Sequence, residues 1–161
     1  MMVKHHKILI FSSGSGTNAE QIIRYFSPKP SVEVLGVYSN NPSAFVLERA
    51  KQLDVSTHVF NREQFNNPAD LLKDLQAQSP DLIVLAGFLW KIPTHIIDAF
   101  PNKIINIHPA LLPKYGGKGM YGHHIHQAVI DAKETESGIS IHYVNNQYDQ
   151  GAIIFQAKIT I

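Results

Sequence analysis

The sequence predicts an α/β domain in which a mostly parallel, twisted β-sheet lies between two layers of helices. Short apolar runs alternate with longer amphipathic segments along most of the chain, as repeated strand–helix–strand units require. Residues 81–86 are almost entirely apolar, which is typical of a parallel strand that is covered on both faces. The last two predicted strands are joined by too few residues for a parallel crossover, so we expect an antiparallel hairpin at the end of the chain.

In the first half of the chain, three apolar runs predict strands and three amphipathic segments predict helices. We expect the strands at residues 7–11, 32–38 and 57–60. The first helix is expected at residues 18–26, where Asn18 suits an N-cap, and prolines end it. Ser43 is expected to cap the second helix. Asn67 followed by Pro68 predicts an N-cap and a first-turn proline for the third.

The second half continues the alternation. We expect strands at residues 81–86, 103–107, 139–144 and 152–161. Helices are expected after Pro93 and at residues 124–133. Residues 109–122 are predicted to form a loop that is rich in glycine and proline, and residues 145–151 a turn between the last two strands.

Length and composition exclude several classes of protein. A chain of 161 residues predicts one domain. Its net charge of +1 and its lack of a Lys/Arg cluster argue against a nucleic-acid partner. It has no cysteine, which excludes disulfides, thiolate metal sites and cysteine nucleophiles. No apolar run approaches the roughly 20 residues of a membrane helix, so we expect no membrane partner and a cytoplasmic location.

The first glycine-rich turn predicts an anion site. Residues 14–19 fit the pattern G-x-G-x-x-A between a predicted strand and a predicted helix. A dinucleotide site also requires an acidic residue at the end of the second strand, and residues 38–41 contain none. The free N–H groups of a helix N-terminus suit any phosphate. We therefore favour a monophosphate site, with a dinucleotide site and a purely structural turn as alternatives.

The most informative short segment is Asn106-Ile107-His108-Pro109. Residues two apart on a strand project to the same side, so Asn106 and His108 are expected to converge at the carboxyl end of a buried strand. An amide that can bind a developing oxyanion beside an imidazole that can move a proton suits acyl transfer. The alternative is a histidine that only caps the strand. Asp149 lies in the predicted late turn, where an aspartate most often serves the turn itself.

These segments together resemble the formyl-folate transferase family, and specifically its glycinamide ribonucleotide branch. The resemblance covers residues 8–161 and depends on five runs, at residues 13–18, 85–88, 106–115, 137–142 and 148–151. It implies a Rossmann-like formyltransferase fold. The activity implied is transfer of a formyl group from 10-formyltetrahydrofolate, as co-substrate, to glycinamide ribonucleotide in purine biosynthesis, without a metal.

The resemblance also implies roles for individual residues. The family's catalytic residues correspond to Asn106, His108 and Asp149, and its substrate-phosphate loop to Gly16, Thr17 and Asn18. Its folate pocket corresponds to Leu89, Trp90, Lys91, Ile92, Val144 and Tyr148. Arg62 corresponds to a substrate-binding arginine.

The chain departs from the family pattern in three places. Leu89-Trp90-Lys91 stands where many members have a methionine–arginine pair, and residues 116–126 are unusually rich in histidine. We expect those histidines to belong to a mobile loop over the site, since no carboxylate or cysteine completes a metal set. The third departure is at the end of the chain: residues 1–161 are expected to form a single formyltransferase domain that lacks the family's C-terminal helix. We expect a monomer or homodimer. The alternative functions are a formyltetrahydrofolate hydrolase and a non-catalytic nucleotide-binding Rossmann domain.

Overall fold

The computed structural model describes residues 3–161, which fold into seven strands and six helices. The strands are β1 (His6–Phe11), β2 (Val32–Ser39), β3 (Thr57–Val59), β4 (Leu82–Leu85), β5 (Ile104–His108), β6 (Glu136–Tyr143) and β7 (Ile153–Thr160). The helices are α1 (Thr17–Phe26), α2 (Phe45–Gln52), α3 (Arg62–Asn66), α4 (Leu71–Gln78), α5 (Thr94–Ala99) and α6 (His123–Asp131). None of these helices is long and apolar enough to cross a membrane.

All seven strands form one sheet in the order β3-β2-β1-β4-β5-β6-β7. The five neighbouring strands β3, β2, β1, β4 and β5 pair in parallel, whereas β6 is antiparallel to both β5 and β7. The chain first builds outward from β1 to β3 and then returns to place β4 on the other side of β1. This reversal creates a topological switch point, where open α/β sheets bind their ligands. The predicted fold and the antiparallel last hairpin are confirmed, and the antiparallel pairing of β5 with β6 was not predicted.

The core has two layers because successive side chains of a strand point to opposite faces of the sheet. On β1, Leu9 and Phe11 join an aromatic-rich cluster that packs against α4 and α5. Ile8 and Ile10 join the opposite cluster, which contains buried residues of α1 and α2. Both faces of the central strands are thus covered, which explains their continuous apolar runs.

Two predicted N-caps are wrong. Helix α1 begins at Thr17 with Gly16 as the N-cap, and Asn18 lies inside its first turn. Gly16 has φ 74°, and an added Cβ would collide with Val46 of α2. The N-cap position therefore requires glycine. Helix α2 begins after Ala44 without a side-chain cap. Ser43 instead donates its backbone N–H to Asn41 in the preceding turn.

The predicted start of the third helix is also wrong, because a short helix that precedes it was not predicted. Helix α3 starts after Asn61, whose side chain forms a reciprocal capping box with Gln64. Asn67, the predicted N-cap, ends α3, and its side chain accepts the N–H of Ala69 in the following turn. Helix α4 then begins at Leu71. The Asn-x-x-Gln spacing at residues 61–64 is a recognisable capping signal in the sequence.

Candidate active site

A cavity of about 570 Å³ lies at the carboxyl ends of β4 and β5. Its wall is formed by the segment after β4, the end of β5, the loop of residues 117–122 and the turn after β6. Asn18 of α1 also lines it. Its volume and mostly apolar wall with a few polar groups are typical of small-molecule sites.

The structure brings the three predicted catalytic residues together. Asn106 and His108 both line the cavity from β5, as their spacing predicts. Asp149 reaches the same place from the turn between β6 and β7, with its Oδ1 atom 3.5 Å from His108 Nδ1. The antiparallel pairing of β6 with β5 explains this, because it places the end of β6 near the cavity. His108 is 3% exposed, so this contact is largely shielded from water.

A fourth polar side chain, His142, was not assigned a role from the sequence. It lies on β6 directly opposite Asn106, so the two side chains share a face of the sheet. Its Nε2 atom lies 3.1 Å from the Asn106 amide nitrogen and 3.5 Å from Asp149 Oδ1. The signal was present in the sequence, since Ser140 and His142 place polar groups at alternate positions of an otherwise apolar run.

The carboxylate of Asp149 is held in its charged form. Burial raises the pKa of this group, but hydrogen bonds from His142 and Gly117, together with the charges of His108 and His142, leave the pKa below its ordinary value of 3.8. The Gly117 N–H donates to Oδ2 at 2.8 Å. Asp149 therefore places a fixed negative charge between two imidazole rings, where it would stabilise positive charge on either ring.

The glycine-rich turn is held by α2. The Gly14 carbonyl accepts the N–H of Val46 at 3.0 Å, and the Ser15 carbonyl accepts Arg49 Nε at 2.7 Å. In a trans peptide the N–H points away from the C=O, so the N–H groups of Ser15 and Gly16 point away from α2. Arg49 is itself held by an ion pair with Glu20 of α1.

The predicted phosphate residues lie beside the cavity, and one of them lines it. Gly16, Thr17 and Asn18 form the N-cap and first turn of α1, where backbone N–H groups have no partner within a helix. Only Asn18 of these three lines the cavity. Ser13 ties this turn to the segment after β4, since its N–H donates to the Gly87 carbonyl and its Oγ accepts the Leu89 N–H.

All six predicted folate-side residues line the cavity, from the segment after β4 and the turn after β6: Leu89, Trp90, Lys91, Ile92, Val144 and Tyr148. Lys91 Nζ lies 5.3 Å from the centre of the Tyr148 ring, so the two segments meet. Arg62 does not line the cavity. Its guanidinium lies 3.7 Å from the centre of the Trp90 ring, so it supports the wall from α3.

The histidines of residues 116–126 lie around the start of α6. The His123 and His124 rings are 4.2 Å apart, and Tyr121 contacts His124 edge-on. Across residues 3–161, no three His, Cys, Asp or Glu side chains are grouped closely enough to hold a metal ion.

Comparison with known proteins assigns the chain to one protein family. A family model described as "Formyl transferase" matches residues 6–161, and the chain belongs to that family. The family expected from the sequence is therefore confirmed.

The similar proteins belong to the glycinamide ribonucleotide branch. The chain is 41% identical over 160 residues to phosphoribosylglycinamide formyltransferase of Haemophilus influenzae, covering 96% of this chain and 73% of the relative. It is 35% identical over 164 residues to the chloroplastic enzyme of that name from Arabidopsis thaliana, covering 98% and 56%. The solved phosphoribosylglycinamide formyltransferase from Coxiella burnetii superposes with a TM-score of 0.85 at 38% identity, covering 98% and 74%. The chain thus spans between about half and three quarters of these proteins.

Proposed function

We propose that this chain transfers the formyl group of 10-formyltetrahydrofolate to the amine of glycinamide ribonucleotide, a step of purine biosynthesis. The printed names of the relatives support the acceptor, and family membership supports the formyl group. The observation that carries the proposal is the convergence of Asn106, His108 and Asp149 on one cavity that Asn18, in the first turn of α1, also lines.

The cavity suits both substrates. Its apolar lining residues Leu89, Trp90, Ile92 and Val144 suit contact with a folate ring system. The N–H groups at the start of α1 suit the ribonucleotide phosphate. A phosphate bound there would direct the amine toward Asn106 and His108, and holding two reactants in this arrangement supplies much of the rate enhancement.

The residues can then perform each step of the transfer. Attack of the amine on the formyl carbon gives a tetrahedral centre with an anionic oxygen, which the Asn106 amide and the His108 ring would stabilise. Removing one such donor typically costs about 3 kcal/mol. The amine loses a proton and the leaving folate nitrogen gains one, and the His108 imidazole, which can both accept and donate a proton, is the group that can move it. Asp149 would stabilise His108 while its ring carries that proton.

The proposed transfer needs no covalent intermediate with the enzyme, and 10-formyltetrahydrofolate serves as co-substrate. A formyltetrahydrofolate hydrolase would use the same Asn, His and Asp with water in place of the amine, and it is not favoured by the names of the relatives. A non-catalytic nucleotide-binding domain is not favoured either, since the catalytic set converges. Monomer or homodimer, a cytoplasmic location, and the absence of a nucleic-acid partner stay predictions.

A label-transfer assay tests the proposal. The chain is supplied with 10-formyltetrahydrofolate labelled in the formyl group, with and without glycinamide ribonucleotide. We expect label in the ribonucleotide and negligible release of formate without it. Release of labelled formate at the same rate with and without ribonucleotide would mean a hydrolase, and absence of turnover under both conditions would reject the activity.

The matched control is His108→Ala. Because His108 does not belong to the α1 turn, the variant should bind the ribonucleotide like the unmodified chain and lose turnover. A variant that loses binding to the same degree as turnover would contradict the role given to His108.

A further inference from the structure

Residues 115–117, in the loop between β5 and α6, contact both His108 and Asp149. The Tyr115 carbonyl oxygen accepts a hydrogen bond from His108 Nε2 at 2.8 Å. Two residues later, the Gly117 N–H donates to Asp149 Oδ2 at 2.8 Å. A carbonyl oxygen can only accept, so Nε2 carries a proton, and His108 Nδ1 is left facing Asp149. This segment therefore fixes the orientation of both side chains.

The backbone of residues 115–117 is held in an unusual conformation. Tyr115 has φ 57° and Gly117 has φ 101°. The left-handed conformation of a residue other than glycine costs about 1–3 kcal/mol and persists only where the surroundings enforce it. Gly116 has no room for a side chain, because an added Cβ would lie 2.6 Å from Leu112 Cδ2 and 3.2 Å from Asp149 Cβ.

The Tyr115 side chain anchors this segment to Glu134. Its hydroxyl donates to Glu134 Oε1 at 2.8 Å, and Lys114 Nζ donates to the same oxygen at 2.9 Å. Glu134 lies between α6 and β6 and does not line the cavity. Hydrogen bonds from Lys114 and Tyr115 hold the pKa of Glu134 below its usual value. Its carboxylate is therefore a charged acceptor at neutral pH.

We infer that Glu134 is a positioning residue that orients His108 through Tyr115. The Glu134 carboxylate fixes the Tyr115 hydroxyl, the fixed side chain keeps the Tyr115 carbonyl turned toward His108, and the carbonyl holds the Nε2 proton. The role in turnover rests on the proposed function, whereas the effect on the His108 proton does not.

The variants separate the anchor from its neighbours. Tyr115→Phe removes the hydroxyl and keeps the carbonyl, and Glu134→Ala removes the acceptor. Glu134→Gln keeps an oxygen that can accept the hydroxyl and serves as the conservative rescue. Lys114→Met is the matched control: it removes the other donor to Glu134, and the Lys114 side chain is 69% exposed.

The first readout is the exchange rate of the His108 Nε2–H proton with solvent, measured by NMR and assigned with His108→Gln. It needs neither substrate nor turnover. We expect slow exchange in the unmodified chain, Glu134→Gln and Lys114→Met, and exchange at least about tenfold faster in Tyr115→Phe and Glu134→Ala. Each variant is first shown to unfold cooperatively, so that a misfolded chain is not read as a loosened histidine.

The second readout is steady-state kinetics. A misplacement of roughly 1 Å can cost about 100-fold, so we expect a kcat loss of about tenfold or more in Tyr115→Phe and Glu134→Ala, with both KM values within about twofold. Unchanged proton exchange in both variants would overturn the inference, as would a Lys114→Met variant that behaves like Glu134→Ala. If the chain transfers no formyl group, the proposed function fails, and the exchange rates still decide the role of Glu134.

Discussion

Replacing Asp149 by asparagine removes one charge from the centre of the proposed site and leaves its shape nearly unchanged. Asp149 Oδ1 lies 3.5 Å from His108 Nδ1 and 3.5 Å from His142 Nε2. At 3.5 Å and an effective dielectric constant of about 20, a carboxylate and an imidazolium attract by about 5 kcal/mol. Repacking and entry of water reduce this value. We therefore expect Asp149→Asn to lose about 2–3 kcal/mol of transition-state stabilisation, or about 100-fold in kcat.

The assay is steady-state formyl transfer with each substrate varied in turn. Asp149 does not contact the first turn of α1, so KM for the ribonucleotide should stay within about threefold of the unmodified value. Asp131→Asn is a suitable control, because this aspartate is exposed on α6 and bonds the Gln127 side chain. A kcat within threefold of the unmodified chain would refute the electrostatic role. A loss that appears in KM instead of kcat would also refute it.

Three further predictions concern the glycine-rich turn and the acid range. Gly16→Ala should destabilise the chain by about 1–3 kcal/mol in urea unfolding, because its methyl group would collide with α2 at φ 74°, whereas Gly14→Ala meets nothing within 4 Å and should unfold like the unmodified chain. Arg49→Met should raise KM for the ribonucleotide about tenfold with kcat unchanged, because Arg49 orients the turn. Arg24 pairs with the same glutamate, Glu20, without touching the turn, so Arg24→Met should leave this KM unchanged. An equal rise in KM for both variants would exclude the role given to Arg49. The lowered pKa of Asp149 contributes stability that is complete above pH 3.8 and lost as pH falls through the folded-state pKa. The stability difference between the unmodified chain and Asp149→Asn should therefore shrink below pH 3.8 in denaturant titrations, and a constant difference down to the lowest pH would contradict this.

The sequence predicts those features that depend on local periodicity. Alternating side chains on β1 divide between the two cores, and the two-residue spacing of Asn106 and His108 brings both to the cavity. Both follow from strand geometry alone. The position of Asp149 depends on how β6 pairs with β5, and His142 joins the site through the same pairing. Spacing along the chain contains no information about that pairing, so only the family resemblance indicated Asp149.

Other features were missed because tertiary contacts outweigh local preference. Asn18 is a good N-cap residue, yet the close approach of Val46 requires a glycine at the cap, and the N-cap of α1 lies two residues earlier, at Gly16. The contact between the Arg62 guanidinium and the Trp90 ring was not predicted either, and a substrate-binding role for Arg62 stays a prediction. This contact depends on two segments that are distant in sequence and meet only in the folded chain.

The most direct test of the account is a crystal structure with glycinamide ribonucleotide and a non-reactive formyl-folate analogue. We expect the phosphate to accept hydrogen bonds from the backbone N–H groups at the start of α1. We also expect the analogue's formyl oxygen within about 3 Å of the Asn106 amide or the His108 ring. A phosphate bound elsewhere, or a formyl group that lies away from both side chains, would contradict the proposed site.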